Sequence, residues 1–251
     1  MSHNPIFNRS MATGVQVARR EVPQELVDAE FAKITSKTPM TLEGTAGKVL
    51  SLFAVVLVAA SATWFFELYS LAFFAMLAAI PLGIWAAVSK TVRPGVMVAY
   101  AALQGVFVGG FSGMLEQAYP GIVQNAVLGT LTTAGIMFAA YRFGWIKVNA
   151  RFTRVMTFAI LGYAGFALVN LIVALVSGGS GIYSTSWGWL AALVGVGLAA
   201  FTLNLDFESV RVGVEQKLPQ ENEWRAAFGL TVTLIWLYIE ILRLLAIFNQ
   251  D

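Results

Sequence analysis

Seven stretches of about twenty residues, each oily enough to cross a lipid bilayer as a helix, constrain this chain more than any other feature. They lie near 47–66, 69–89, 94–115, 121–142, 154–176, 187–206 and 224–247. Composition supports the reading. Hydrophobic residues make up 58% and charged residues 12%, about half the charged share of an ordinary soluble domain. One soluble core of 251 residues could not hide that much apolar surface. The expected fold class is therefore all-α: a polytopic membrane protein with seven transmembrane helices. Residues 1–45 are expected to form a polar N-terminal tail and residues 46–251 the seven-helix transmembrane domain.

Local signals place the turns. Glu67 interrupts an apolar run too long for one span, so the first two segments should form a hairpin there. Pro81 and Gly83 predict a kink in the second segment. Pro94 suits the first turn of the third, where its missing N–H costs nothing. Ser177 to Ser186 is rich in Gly and Ser and reads as a loop, and Pro219 marks the last connection. Glu25 to Ile34 carries a weak amphipathic pattern that fits a short helix or an irregular tail.

The cations give the orientation. Arg9, Arg19, Arg20, Lys33, Lys37 and Lys48 lie in or beside the tail. Lys90 and Arg93 lie in the second connection. Arg142, Lys147, Arg151 and Arg154 lie in the fourth, and Arg211, Lys217 and Arg225 in the sixth. The first, third and fifth connections carry none. By the positive-inside rule the N-terminus is expected in the cytoplasm and the C-terminus outside, in a plasma membrane. A net charge of +2 gives no reason to expect nucleic acid as a partner.

One internal echo stands out. AALQGVFVGGF from Ala101 and AALVGVGLAAF from Ala191 share six of eleven positions. The two segments cross in opposite senses, so the echo fits an inverted three-helix repeat. It fits equally two helices that both use small residues for close packing.

Several chemistries are excluded. Cysteine is absent and the single histidine, His3, is in the tail, so no thiolate or imidazole can act within the membrane. Gly110–Phe111–Ser112–Gly113 spells the GxSG of an intramembrane serine protease, but that nucleophile needs a histidine base. Asp206 is the only aspartate near a span, which argues against an aspartyl dyad. No enzyme, cofactor or resident metal is expected. What remains is a set of polar groups at membrane depth, which are costly there and usually functional. Gln104 and Asn170 lie near the middles of segments three and five. Asp206 closes segment six. Glu240 lies inside segment seven with Arg243 at i+3, an ion-pair candidate, and Thr233 two turns earlier on the same face. A stripe from Thr233 to Glu240 should face protein or water. Glu67 and Glu116 read as solvated groups at the outer surface.

Four stretches carry a family resemblance: YAALQGVFVGGFSGMLEQAYPGIVQNAVLGT from Tyr100, YRFGWIKVNARFTR from Tyr141, LNLDFESVRVGVE from Leu203 and EWRAAFGLTVTLIWLYIEILRLLAIF from Glu223. From about Met40 onward the chain resembles the Bax inhibitor family, the transmembrane Bax-inhibitor-motif proteins, and more narrowly an actinobacterial-type branch. The opening NPIFNR is also similar to tails in that branch. The resemblance implies six helices around a central C-terminal helix. It also implies a pH-responsive calcium leak, and suppression of cell death in eukaryotic members. In bacterial members two aspartates pair on helices six and seven, and an arginine on helix two latches onto one. Asp206 in LNLDFESV matches the first aspartate. Aligning ILR of segment seven with the family's terminal LLR puts the second on Thr233; matching LYIE to LYLD puts it on Glu240 but needs a two-turn gap, so Thr233 is preferred. Segment two has no internal arginine, and Gln104 stands where many relatives of that branch have glutamate.

Two functions follow as expectations. The first is a pH-sensitive ion leak channel or transporter, with calcium as permeant species touching Asp206 and Glu240 in passing, and with Thr233, Gln104 and Asn170 along its path or gate. The second is a non-conducting regulator that binds a membrane protein such as a quality-control protease. The lipid bilayer is the partner both require.

Overall fold

The computed structural model describes residues 38–177 and 181–250. The amphipathic stretch Glu25–Ile34 and His3 lie outside the described residues. Every expected span is an α-helix: α1 Leu42–Phe65, α2 Leu71–Val88, α3 Pro94–Ala118, α4 Ile122–Arg142, α5 Ala150–Ser177, α6 Gly188–Glu215 and α7 Asn222–Phe248. All seven are long and apolar enough to cross a membrane.

The helices begin and end where caps and turns dictate, not where the oil starts. α1 starts earlier than expected because Thr41 is extended and its hydroxyl accepts the Gly44 N–H at 2.9 Å. α5 also starts early, at Asn149, whose Oδ1 accepts the Phe152 N–H at 2.9 Å. α6 runs nine residues past Asp206, so that residue lies inside the helix and does not end it. The α1–α2 hairpin turns at Glu67, which takes a left-handed φ of 54°. Pro94 sits at the start of α3 and Pro81 inside α2, as expected. The Ser177–Ser186 loop contains a 3₁₀ turn, Gly181–Ser184. Glu116 is not simply solvated. Its carboxylate accepts the Gly121 and Val123 N–H groups at 2.7 and 3.0 Å and so caps the start of α4.

The outer faces expose large apolar side chains, among them Phe65, Phe74, Leu131, Phe158 and Val176. In water this would be a fault; in lipid it is the solvated surface. Small residues mediate the close contacts inside. A Cβ on Gly105 or Gly109 of α3 would lie 2.5 Å from the Val56 or Ala60 carbonyl oxygen of α1. The α1–α3 contact therefore depends on the missing side chains. α7 is the most enclosed helix and packs against α1, α3, α4 and α6, which makes the C-terminal helix central.

At the Lys/Arg-rich end the chain entering α1 is tied to the α6–α7 connection. Pro39 bridges Pro219, and the Met40 N–H donates to the Leu218 carbonyl at 2.7 Å. The Met40 side chain is buried beside Gly213 of α6.

Candidate functional site

α6 and α7 run antiparallel and in close contact, and their facing sides carry polar groups at two levels. At the first, a Cβ on Gly229 would lie 3.4 Å from Asp206 Oδ1. Thr233, one turn further along the same face, sets its hydroxyl beside that carboxylate. Asp206 Oδ2 is buried and has no hydrogen-bond partner among the described residues. An acceptor left so costs about 1–3 kcal/mol. Asn204, also on α6, is fully enclosed and its Oδ1 lacks a partner too.

At the second level Glu240 is buried against Gly195 of α6. Both its oxygens accept from Arg243 Nη1 at 2.9 Å, and Oε1 also accepts from Trp236 Nε1 at 3.1 Å. The Arg243 guanidinium lies 4.4 Å from the Tyr183 ring centroid, and the Tyr183 and Tyr163 hydroxyls are 2.8 Å apart. Glu240 is thus neutralised and held by at least two donors. The expected intrahelical pair forms, and Thr233 and Glu240 are both buried against protein.

Eleven residues separate Gly195 from Asp206, and eleven separate Gly229 from Glu240. At 1.5 Å per residue the two carboxylate levels lie roughly 16 Å apart along the helices. Asp206 and Thr233 are brought together; Glu240 is not brought to them.

Asn170 is not at the middle of its helix. It lies two turns from the end of α5, and its Oδ1 accepts the Ile182 N–H at 2.7 Å, fastening the 3₁₀ turn. Gln104 faces elsewhere again. With Tyr100 it lines a cavity of about 320 Å³ between α2, α3 and α7, whose wall includes Trp236. Its Nε2 donates to the Tyr100 hydroxyl at 2.8 Å, while its Oε1 is buried without a partner among the described residues. The serine of the GxSG sequence is explained by packing. Ser112 hydroxyl pairs with Tyr238 hydroxyl at 2.7 Å, a phenol and not a base, and Gly110 lies against Ala72 of α2.

The largest omission of the sequence reading is Glu223. It is fully enclosed at the start of α7, pairs with Lys48 of α1, and accepts from the Thr41 N–H and hydroxyl at 2.8 and 3.1 Å. Arg225, half a turn on, donates to the Ser89 carbonyl at 2.9 Å and so ties in the α2–α3 connection. Glu223 reads in sequence as one more acidic residue favouring a helix start; its partner lies 175 positions away. Among the described residues no group of three or more His, Cys, Asp or Glu side chains could hold a metal ion.

A search of curated proteins finds no match. A protein-family model described as Bax inhibitor 1 like does match, over residues 4–250. The match spans the seven helices, the Asp206–Thr233 contact and the central C-terminal helix alike, and the chain belongs to the Bax inhibitor 1 like family.

Proposed function

We propose that this membrane protein passes ions slowly down their gradient, with Asp206 as the gating group and calcium among the permeant species. The observation that carries this reading is the unpartnered Oδ2 of Asp206, buried between α6 and α7 beside Thr233. A charged Asp206 with one empty oxygen draws a cation or water to that level. A protonated Asp206 can instead donate to a neighbouring oxygen and let α6 and α7 close on each other. The group thereby links flux to pH. Glu240 is assigned a structural part in this reading, because Arg243 and Trp236 already meet its oxygens. The Lys/Arg-rich end faces the cytoplasm, by the positive-inside rule.

The test is reconstitution of the full chain in liposomes holding a calcium dye, across a range of pH. The wild type is expected to leak above the level of empty liposomes and to respond to pH. Asp206→Asn should flatten that response, and Thr233→Val should alter its amplitude. A leak whose pH profile is unchanged in Asp206→Asn rejects the gate. A wild type no leakier than empty liposomes rejects conduction and favours a non-conducting regulator of another membrane protein.

A further inference from the structure

We propose that the connection between α4 and α5 holds the phosphate of an anionic phospholipid, whose acyl chain lies in a furrow along α6. Four cations fall within thirteen residues there: Arg142, Lys147, Arg151 and Arg154. All four are exposed, and none has an ion pair or hydrogen-bond partner for its side chain among the described residues. No Asp or Glu occurs between Glu116 and Asp206. Glu208, which accepts from Tyr141 beside them, is already paired with Arg211. The other basic connections differ, because the protein uses their cations itself. Lys48 is held by Glu223, Arg225 by the Ser89 carbonyl, Arg93 by the Trp85 ring and Arg211 by Glu208 and Glu215.

These cations stand over lipid and not over a protein surface. Arg142 is the last residue of α4, whose 21 residues make roughly 32 Å of helix against ~30 Å of hydrocarbon. It extends the exposed stripe of Phe138 and Leu131, one and three turns back on the same face. Arg151 and Arg154 extend the exposed stripe of Val155, Phe158 and Leu161 on α5 in the same way. Between the two helices Gly144 turns the chain at φ 73°, and the Trp145 N–H donates to the Ala140 carbonyl at 2.9 Å. The Phe143 and Trp145 rings, both exposed, lie 5.9 Å apart on that turn. Aromatic rings so placed sit at headgroup level.

A furrow runs up from the cations. α4 and α5 each pack on α6 and not closely on each other. Phe138 meets Phe207 at 5.4 Å and Phe152 meets Phe201 at 6.3 Å between ring centroids. On the lipid side of α6 Val194 and Phe201 are exposed, and a Cβ on Gly197 would meet nothing within 4 Å. The three follow at i, i+3 and i+7, so they share one face. Phe201 stands level with Phe152, the neighbour of Arg151, so the furrow opens beneath the cations. From there to Val194 is roughly 10 Å of helix, room for the upper part of an acyl chain. A basic recess between helices at headgroup level favours an anionic lipid. A zwitterionic lipid brings its own cation and gains less. The site is independent of whether the protein conducts ions.

The test is native mass spectrometry of the full-length protein in detergent micelles carrying equimolar phosphatidylglycerol and phosphatidylcholine with identical acyl chains. Wild type is expected to retain phosphatidylglycerol as its first lipid about ten-fold more often, the scale of one or two cations acting at a membrane surface. Arg151→Gln plus Arg154→Gln should cut that preference about five-fold or more. Arg142→Gln plus Lys147→Gln should do the same, a second route should either pair disturb folding. Lys90→Gln plus Lys217→Gln removes the same charge from the same end of the bundle and should leave the preference unchanged. Gly197→Trp, which fills the furrow, should lower the fraction carrying phosphatidylglycerol several-fold. Thermal unfolding in the same micelles reports an intact fold for each variant. Equal retention of the two lipids by wild type overturns the proposal. So does a preference that survives removal of either cation pair at the α4–α5 connection, or one lost equally in the Lys90 and Lys217 variant, which would signify diffuse surface charge only. Retention untouched by Gly197→Trp overturns the furrow as the seat of the chain.

Discussion

The Glu240–Arg243 pair makes an asymmetric prediction. The Glu240 side chain is 4% exposed and the Arg243 side chain 28%. Replacing Arg243 by Met leaves a buried carboxylate with Trp236 as its remaining donor. Breaking a buried pair in this way costs about 3–5 kcal/mol, and the surviving Trp236 bond puts the expected cost near the lower end, about 3 kcal/mol. Replacing Glu240 by Met leaves an arginine with an escape. Arg243 is five residues from the end of α7, roughly 7 Å of rise, so its guanidinium can reach the interface. Its ring contact with Tyr183 also survives, and the expected cost is about 1 kcal/mol. The double variant has no charge to strand and should lie within about 1 kcal/mol of wild type. Arg243→Met alone should therefore be less stable than Glu240→Met plus Arg243→Met. The assay is a double-mutant cycle on unfolding free energies of the protein in lipid bicelles. Additive costs, or a Glu240→Met variant as unstable as Arg243→Met, would refute the view that the pair exists to neutralise Glu240.

Glu223→Ala should destabilise the fold by about 2 kcal/mol, since Lys48 can turn to water but the Thr41 N–H loses its acceptor; Glu223→Gln should lose less, and exposed Glu43→Ala should read near zero in the same denaturation series. Gly109→Val should separate α1 from α3 by driving a side chain into the Ala60 backbone; the expected readout is a loss of more than about 3 kcal/mol or failure to express a folded protein. Asn170→Leu should leave global stability within about 1 kcal/mol, yet raise amide exchange at Ile182, whose N–H it accepts. Met40→Ala should lower the thermal unfolding temperature, because the side chain is core and lies beside Gly213 of α6.

The spans were legible because hydropathy and helix length answer to the same bilayer, and the turns at Glu67 and Pro94 because single residues mark them. Helix ends at Thr41 and Asn149 were less visible, because the first polar turn of a helix looks like loop to a reading based on oil. In the site, the Glu240–Arg243 pair was readable from i+3 spacing alone. Asp206 beside Thr233 came from an alignment choice, not from spacing. Glu223 with Lys48 and Ser112 with Tyr238 were not readable. Their partners are 175 and 126 positions apart, and only the folded bundle joins them. The bond of Asn170 to the Ile182 N–H was not readable either, because a polar residue within a span shows in sequence only that it needs a partner, not which turn supplies one.

The bond from Met40 to Leu218, with Lys48 and Thr41 gripping Glu223, has a mechanical consequence. Tension on the chain ahead of Pro39 is delivered to the short connection joining α6 to α7. Those two helices hold Asp206 and Thr233 between them, so a pull there acts as a wedge at the base of a pair of tongs. A tether attached directly ahead of Pro39 is thus a handle on their spacing, and one joined there through a long slack linker is the matching control.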